Sequence, residues 1–248
     1  MRNFILFISI LLIPSVTFGV TFVTGAGSLR TGLIDYYRLE NLIDFVGSND
    51  LTNNNSVTFS AGLVNNAADG GTSNSNRVLS GGNLGLTGNV TFSQWVNFTT
   101  LPSDTRRPFA HGNKTNDITY FINYDGTDIT WVRDRSGVAT ASVTETVTLA
   151  TSTWYHFVLT YNGSNLEGWR DNVSKGTTAQ TGNGNDPGPT EAYTLIGFLD
   201  INVPISGLVD EAGVWNRKIS DSEVADLYHG GRGNRAITHR LRGGGISR

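Results

Sequence analysis

Two tryptophans occupy positions where an aromatic ring could do recognition chemistry. Trp131 lies in Ile129-Thr130-Trp131-Val132, just after the turn pair Asp125-Gly126, and Trp169 lies in the return strand after Asn162-Gly163. A pyranose presents an apolar C–H face that stacks on such a ring, so both are candidates for a sugar platform; burial in a core is the alternative for each. The carboxylates offer less for catalysis. Asp210 and Glu211 are adjacent in a predicted strand, so their side chains point to opposite faces and cannot flank one glycosidic bond. His111, His156, His229 and His239 show neither H-E-x-x-H nor H-x-H spacing, and no G-x-S-x-G, phosphate-binding loop or dinucleotide fingerprint occurs. His156 falls inside a predicted strand and reads as structural. The chain has no cysteine, which removes disulfides, thiolate-bound zinc and thiol nucleophiles together.

The elements that would position these residues are strands. Of 248 residues only 16% are charged, 38% are hydrophobic and 30 are glycine, and Asn, Thr, Ser and Gly favour turns and half-exposed strands over helix interiors. Two hairpins are clear: Ile118 to Tyr124 returning through Ile129 to Val132, and Trp154 to Tyr161 returning through Leu166 to Asp171. Further strands are expected at Tyr36 to Leu39, Val90 to Phe98, Ala192 to Phe198 and Leu208 to Trp215. Trp95, Trp154 and Trp215 fall within such alternating strands, where a large ring would fill the space between two sheets. One helix is signalled: Ser220 with Glu223 makes a capping box, Val224 and Leu227 an apolar stripe, and Gly230 a stop. The fold class is all-β, an antiparallel sandwich or barrel with one short C-terminal helix.

Residues 1–19 have the three parts of a secretory signal: Arg2, the apolar run Phe4 to Ile13, and Thr17-Phe18-Gly19, which predicts cleavage after Gly19. That run is too short for a bilayer, which needs roughly 20 residues, so no transmembrane anchor is expected. Residues 20–229 read as one domain and residues 230–248 as a basic Gly/Arg-rich tail. All 21 acidic residues lie between Asp35 and Asp226, whereas Arg232, Arg235, Arg240, Arg242 and Arg248 form an acid-free end. An acidic body disfavours nucleic acid as its partner.

Three stretches carry a resemblance to a known family. Phe92-Ser93-Gln94-Trp95-Val96-Asn97-Phe98 is one, and Trp154-Tyr155-His156-Phe157-Val158-Leu159-Thr160-Tyr161-Asn162-Gly163 is another. The third runs from Gly207-Leu208-Val209-Asp210-Glu211 through Trp215-Asn216-Arg217 to Ser220, Glu223, Leu227 and Tyr228. Together they resemble the laminin G-like, pentraxin-type jelly rolls of the concanavalin A-like lectin/glucanase superfamily. Leu33 to Leu39 with Asp44, Gly47 and Asn49 is similar to that family's opening strand and D-x-x-G-x-N loop. One departure is Trp169-Arg170-Asp171-Asn172, where the family has an aromatic followed by Asp-Gly; Asn tolerates a positive φ, so the turn survives.

The resemblance implies a jelly-roll β-sandwich and a calcium ion at one rim. By position Asp44 and Asp210 would be its side-chain ligands, with Asn49 as a further one. The alternative is that Asp44 makes an Asx turn and that Asp210 and Glu211 cap loops or pair with Arg217. Glucanases of this fold carry E-x-D-x-x-E on a strand, and that motif is absent here, so no enzyme activity is expected. The reading is an exported recognition domain that binds carbohydrate or glycosylated surfaces with calcium support and takes no nucleotide. The competing class is a structural or adhesive protein of a cell envelope or virus-like particle, making protein–protein contacts without sugar.

Overall fold

The computed structural model describes residues 29–71, 78–84, 86, 88–113, 117–134, 139–180, 192–196 and 204–233. The expected signal segment, most of the basic tail and the last two residues of the strand expected at 192–198 lie outside them. Within them the chain forms β1 (Leu33–Tyr37), β2 (Thr52–Asn54), β3 (Thr58–Ala61), β4 (Asn66–Asp69), β5 (Val78–Ser80), β6 (Val90–Phe98), β7 (Arg106–Asn113) and β8 (Asp117–Tyr124). There follow β9 (Asp128–Arg133), β10 (Ala141–Thr146), β11 (Trp154–Tyr161), β12 (Asn165–Arg170), β13 (Val173–Ala179), β14 (Ala192–Leu195), β15 (Gly207–Trp215) and the helix α1 (Asp221–Tyr228).

The strands make two antiparallel sheets. One has the order β13-β12-β11-β6-β15-β4-β3 with β1 also pairing β15, giving eight strands; the other has the order β10-β9-β8-β7-β14-β5-β2, giving seven. Both expected hairpins form, as β8–β9 and β11–β12. Their turns are built by side chains that take over backbone donors. Asp125 Oδ1 accepts from the N–H of Thr127 at 2.9 Å and of Asp128 at 2.7 Å; these bonds hold its carboxyl below the usual range. Asn162 Oδ1 accepts from Ser164 N–H and Asn165 N–H in the same way. Asp171 and Asn172 both adopt positive φ, 52° and 62°, so the non-Gly turn forms.

The first strand is shifted from expectation. It spans Leu33–Tyr37 instead of Tyr36 to Leu39, because Leu39 has φ 57° and leaves the extended region. The helix carries the expected capping box, with Ser220 accepting from Glu223 N–H and Glu223 reaching back to Ser220 N–H. It ends one residue early, at His229 in the left-handed conformation, ahead of Gly230.

The inner faces pack Phe92, Val96 and Phe98 of β6 and Phe157 and Leu159 of β11 against Phe109, Ile122 and Trp131 of the other sheet. Gly168 in β12 is required by that packing: a Cβ there would lie 2.5 Å from the Trp131 ring. At the open edge Arg170 grips Glu145 through two hydrogen bonds of 2.8 and 2.7 Å, tying β12 of one sheet to β10 of the other. Burial alone would raise the Glu145 carboxyl, but Arg170 and Lys175 prevail and hold it low.

The eight-stranded sheet is covered on its outer side too. Leu29, Leu33, Tyr36, Val158, Trp169 and Trp215 pack there with Val224 and Leu227 of α1. Trp95 lies on this same side, stacked on His156 with centroids 4.9 Å apart and on Tyr228 at 5.7 Å. Trp95 and Trp215 therefore fill the space between sheet and helix and not, as expected, between the sheets. Trp154, on the same side of β11, is half-buried.

Candidate functional site: an open sheet face and a rim loop

The seven-stranded sheet presents its outer face without a helix over it among the described residues. Register pairs place Thr52, Ser80, Thr194, Ala110, Phe121, Val132 and Ser142 in one row across all seven strands, and residues paired across strands share a face. Ala110, Phe121 and Val132 form a small apolar cluster there. The next row carries Asn123, Thr130 and Thr144, with the two threonine hydroxyls 3.4 Å apart.

Arg107 joins this face because β7 is irregular between Arg106 and Phe109, which re-aims a side chain that strict alternation would place elsewhere. Its guanidinium lies 4.4 Å over the Phe121 ring, and its Nε donates to Asn123 Oδ1 at 2.9 Å. Burial lowers the Arg107 pKa, and the Asp134 carboxylate opposes that shift. Phe121 itself is only 7% exposed beneath that guanidinium, so this part of the face presents a cation, an amide and hydroxyls and no aromatic ring. Half-exposed Arg107, Asn123 and Thr130 are groups of the kind that hydrogen-bond a polyol.

At the rim, the loop after β1 is organised by Asp44, which is 7% exposed. Its Oδ1 accepts from Tyr36 N–H and Val46 N–H, both at 3.0 Å, and its Oδ2 from Asn49 N–H at 3.2 Å. The Val46 bond is the Asx turn anticipated as the alternative to metal binding. Asn49 Nδ2 donates to the Asp35 carboxylate at 3.1 Å, and Tyr37 Oη donates to the same group at 3.3 Å. Burial raises the Asp35 carboxyl to about 7, with Asn49 pulling it down and Asp44 pushing it further up. A Cβ added at Gly47 would lie 2.5 Å from both Asp35 Oδ1 and Asp44 Oδ2 and 2.8 Å from the Ile34 carbonyl oxygen. Three oxygens thus face one point that only glycine leaves clear.

The structure brings Asp44 and Asn49 together but not Asp210. Asp210 is fully buried; its Oδ2 accepts from Val64 N–H at 2.9 Å and its Oδ1 from Glu211 N–H at 2.9 Å. It caps the loop after β3, as the alternative reading had it, while Glu211 accepts from Tyr36 Oη across a bulge in β15. Arg217 pairs with Glu223, and its bidentate contact braces α1 against the preceding turn. Among the described residues no three His, Asp or Glu side chains group as a metal cluster. Asp35 escaped sequence analysis because it sits in a strand among aromatic residues; the glycine three places after Asp44 is the signal that could have found it.

Neither proposed tryptophan platform presents a ring to solvent. Trp131 is 0% exposed, between the sheets, edge-on to Phe157 at 6.3 Å. Trp169 is 6% exposed and belongs to the cluster beneath α1. Both expectations are corrected for one reason: nearness to a turn in sequence does not expose a side chain whose strand face is covered. His156 is structural as expected, fully sequestered with Nε2 2.8 Å from Ser93 Oγ; burial lowers its pKa to about 3.

Comparison with known proteins adds a fold-level likeness. The family model Laminin_G_3, of the concanavalin A-like lectin/glucanases superfamily, matches residues 69–225. No curated protein matches by sequence. Domain 4 of AbnA, an extracellular GH43 arabinanase of Geobacillus stearothermophilus solved with arabinotriose, is similar with a TM-score of 0.64 at 18% identity, over 79% of this chain and 98% of that one. The binding domain of Paraclostridial Mosquitocidal Protein 1 gives 0.65 at 13% identity over 79% of this chain. The binding domain of Botulinum neurotoxin DC, solved with SialylT, gives 0.67 at 12% identity over 81%. The chain spans about half of each of those two binding domains, 52% in both cases. No helix among the described residues is long and apolar enough to cross a membrane.

Proposed function

Since the chain belongs to the concanavalin A-like lectin/glucanase superfamily, we propose that it is a non-catalytic recognition domain for carbohydrate, working outside the cell. The observation that carries this reading is the polar side of the seven-stranded sheet's outer face, where half-exposed Arg107, Asn123 and Thr130 lie beside exposed Ser142 and Thr144. Its chemistry suits a saccharide: several hydrogen-bonding groups held at fixed spacing on a rigid sheet. The similar arabinanase domain and toxin binding domain were solved with arabinotriose and SialylT, which supports a sugar-binding use of this scaffold. Export follows from reading residues 1–19 as a signal.

Calcium is the proposed support of the rim. Asp35, Asp44 and the Ile34 carbonyl are oxygens of the kind a hard cation takes, and two carboxylates crowded into a buried loop gain most from such neutralisation. In this reading Asp35 takes the place expected of Asp210, Asn49 orients Asp35, and the ion stiffens the loop without touching the sugar.

The test is binding of the chain to a broad glycan panel, in calcium and again in chelator. Saturable binding that Asn123→Ala weakens at least about tenfold, with the melting temperature held, is the expected result. A folded chain that binds no glycan, or one indifferent to Asn123→Ala and Arg107→Ala, overturns the assignment of this face. A melting temperature unmoved by chelator overturns the calcium part alone.

A further inference from the structure

We propose that the outer face of the eight-stranded sheet carries a second saccharide site, built around Trp154 and Asn97 beyond the reach of the helix. The register sets Trp154 beside Asn97, Asn97 beside Leu208 and Leu208 beside Asp69, so four adjacent strands contribute one row. That row faces outward, because Val96 and Phe98 on either side of Asn97, and Val209 and Ala68 of the neighbouring strands, pack between the sheets. The cover stops one row short of it: Tyr228 stacks on Trp95, two residues before Asn97. Of the five tryptophans only Trp154 is half-buried, and the other four are at most 6% exposed.

Asn97 points to a ligand. It is 8% exposed, yet its side-chain amide makes no hydrogen bond among the described residues, and it is not sealed from solvent as the Gln94 amide is. A nearly buried amide without a partner costs free energy that a ligand can recover. Its carbonyl and NH2 together match a vicinal pair of hydroxyls, one donating and one accepting. The Trp154 ring beside it offers a flat apolar face to the axial C–H groups of a pyranose, and Leu208 extends that strip. Asp69 closes the row: its Oδ1 accepts from Gly71 N–H at 2.7 Å, and its Oδ2 takes no hydrogen bond among the described residues. Neighbouring strands lie about 4.8 Å apart, so Asp69 stands about 10 Å beyond Asn97, and the row is longer than one sugar ring. An acyl chain would leave the Asn97 amide unpaired, and an anion would meet Asp69 with no cation in the row to balance it. The chemistry that fits is a neutral oligosaccharide of pyranoses with equatorial hydroxyls and linkages, which lies flat along the row. This site rests on the carbohydrate reading for its class of ligand but uses other residues on the opposite face, so that one chain holds two glycan strands at once.

The experiment is iodide quenching of tryptophan fluorescence in the full chain, alone and with cellohexaose or xylohexaose. With four rings sealed, Trp154 should carry nearly all of the quenching, which Trp154→Phe removes, and one of the two hexaoses should shield it saturably. Asn97→Ala should weaken that shielding about tenfold, with the melting temperature held or raised, since an amide without a partner gives the fold nothing. Shielding by neither hexaose overturns the proposal, as does an Asn97→Ala chain shielded like its parent. A melting temperature lowered in Asn97→Ala also overturns it, by making the amide a structural group. Asn123→Ala should leave the shielding unaltered. The face of the seven-stranded sheet therefore stands or falls on Asn123→Ala in the glycan panel, and this site on Asn97→Ala in quenching, so the two readings fail separately.

Discussion

The two sheets treat their outer faces in opposite ways. On the eight-stranded sheet, α1 and the first described residues lie across the strands, and Trp95, Trp169 and Trp215 are sealed beneath them. On the seven-stranded sheet the corresponding face keeps Arg107, Asn123 and Thr130 half-exposed and Ser142 and Thr144 exposed. A face buried on both sides costs hydration for every polar group it holds, and the orphaned Nε1 of Trp169 and Nδ1 of His156 lie there. The outer face of the seven-stranded sheet buries its central row, Thr194, Ala110, Phe121 and Val132, but keeps polar groups at one side that a ligand can use. The sealed rings therefore report on stability, and medium polar side chains on binding.

That division can be broken by mutation. Trp95→Ala removes a ring stacked between His156 and Tyr228 and should destabilise by about 3–5 kcal/mol, read by denaturant unfolding; a loss under about 1 kcal/mol would mean the helix does not seal that face. Gly168→Ala puts a methyl into the Trp131 ring and should cost about 1–3 kcal/mol, whereas Gly176→Ala, in the exposed edge strand β13, tests the strain of a φ of 123° alone. On the open face, Arg107→Ala should lower glycan affinity about thirtyfold, equivalent to about 2 kcal/mol, with stability changed far less than by Trp95→Ala. An equal loss of both would make Arg107 a structural cation.

The smallest expected effect is one of pH. Burial holds His156 at about 3 and His111 at about 4, both far under 6.5, so the unfolded chain binds protons that the folded chain refuses. Their contribution is complete above the unfolded pKa and is lost as pH falls from there toward 4, by at most about 1.4 kcal/mol per pH unit for each ring. Asp35, raised to about 7, works in the other direction, since its proton favours the folded state and that contribution fades as pH rises through 7. Melting curves of His156→Asn should therefore show a shallower acid limb than those of the parent. Parallel limbs would mean that His156 is already protonated in the fold.

Much of the architecture was legible because it rests on local signals. Val90–Phe98 occupies its expected span, and both hairpins turn where Asp125-Gly126 and Asn162-Gly163 place them. The capping box announced α1. Alternation, however, divides a strand into two sets of side chains without saying which set is covered, or by what. That is why Trp95 and Trp215 moved from the space between the sheets to the space beneath the helix, and why Trp131 moved into the core. The mid-strand Gly168, whose missing Cβ makes room for Trp131, was a readable sign of close approach. The rim was half legible: Asp44 and Asn49 lie in one short loop and meet in space, but Asp210 reaches a different loop through a bulge, and no sequence period announces a bulge. Arg107 was hidden for the same reason, lying in the irregular stretch of β7.

The covered side is also where the described chain begins and ends. Leu29 accepts from the indole of Trp215 at 2.7 Å, and a Cβ on Gly233 would lie 3.5 Å from the indole nitrogen of Trp95. Both points of attachment thus share the helix side of the sandwich. A tether, label or fusion joined at either of them leaves the seven-stranded face pointing away. Attachment at residue 29 or at residue 233 lies on the side away from Arg107 and Asn123, and a neighbour built onto both points at once would still sit on the helix side.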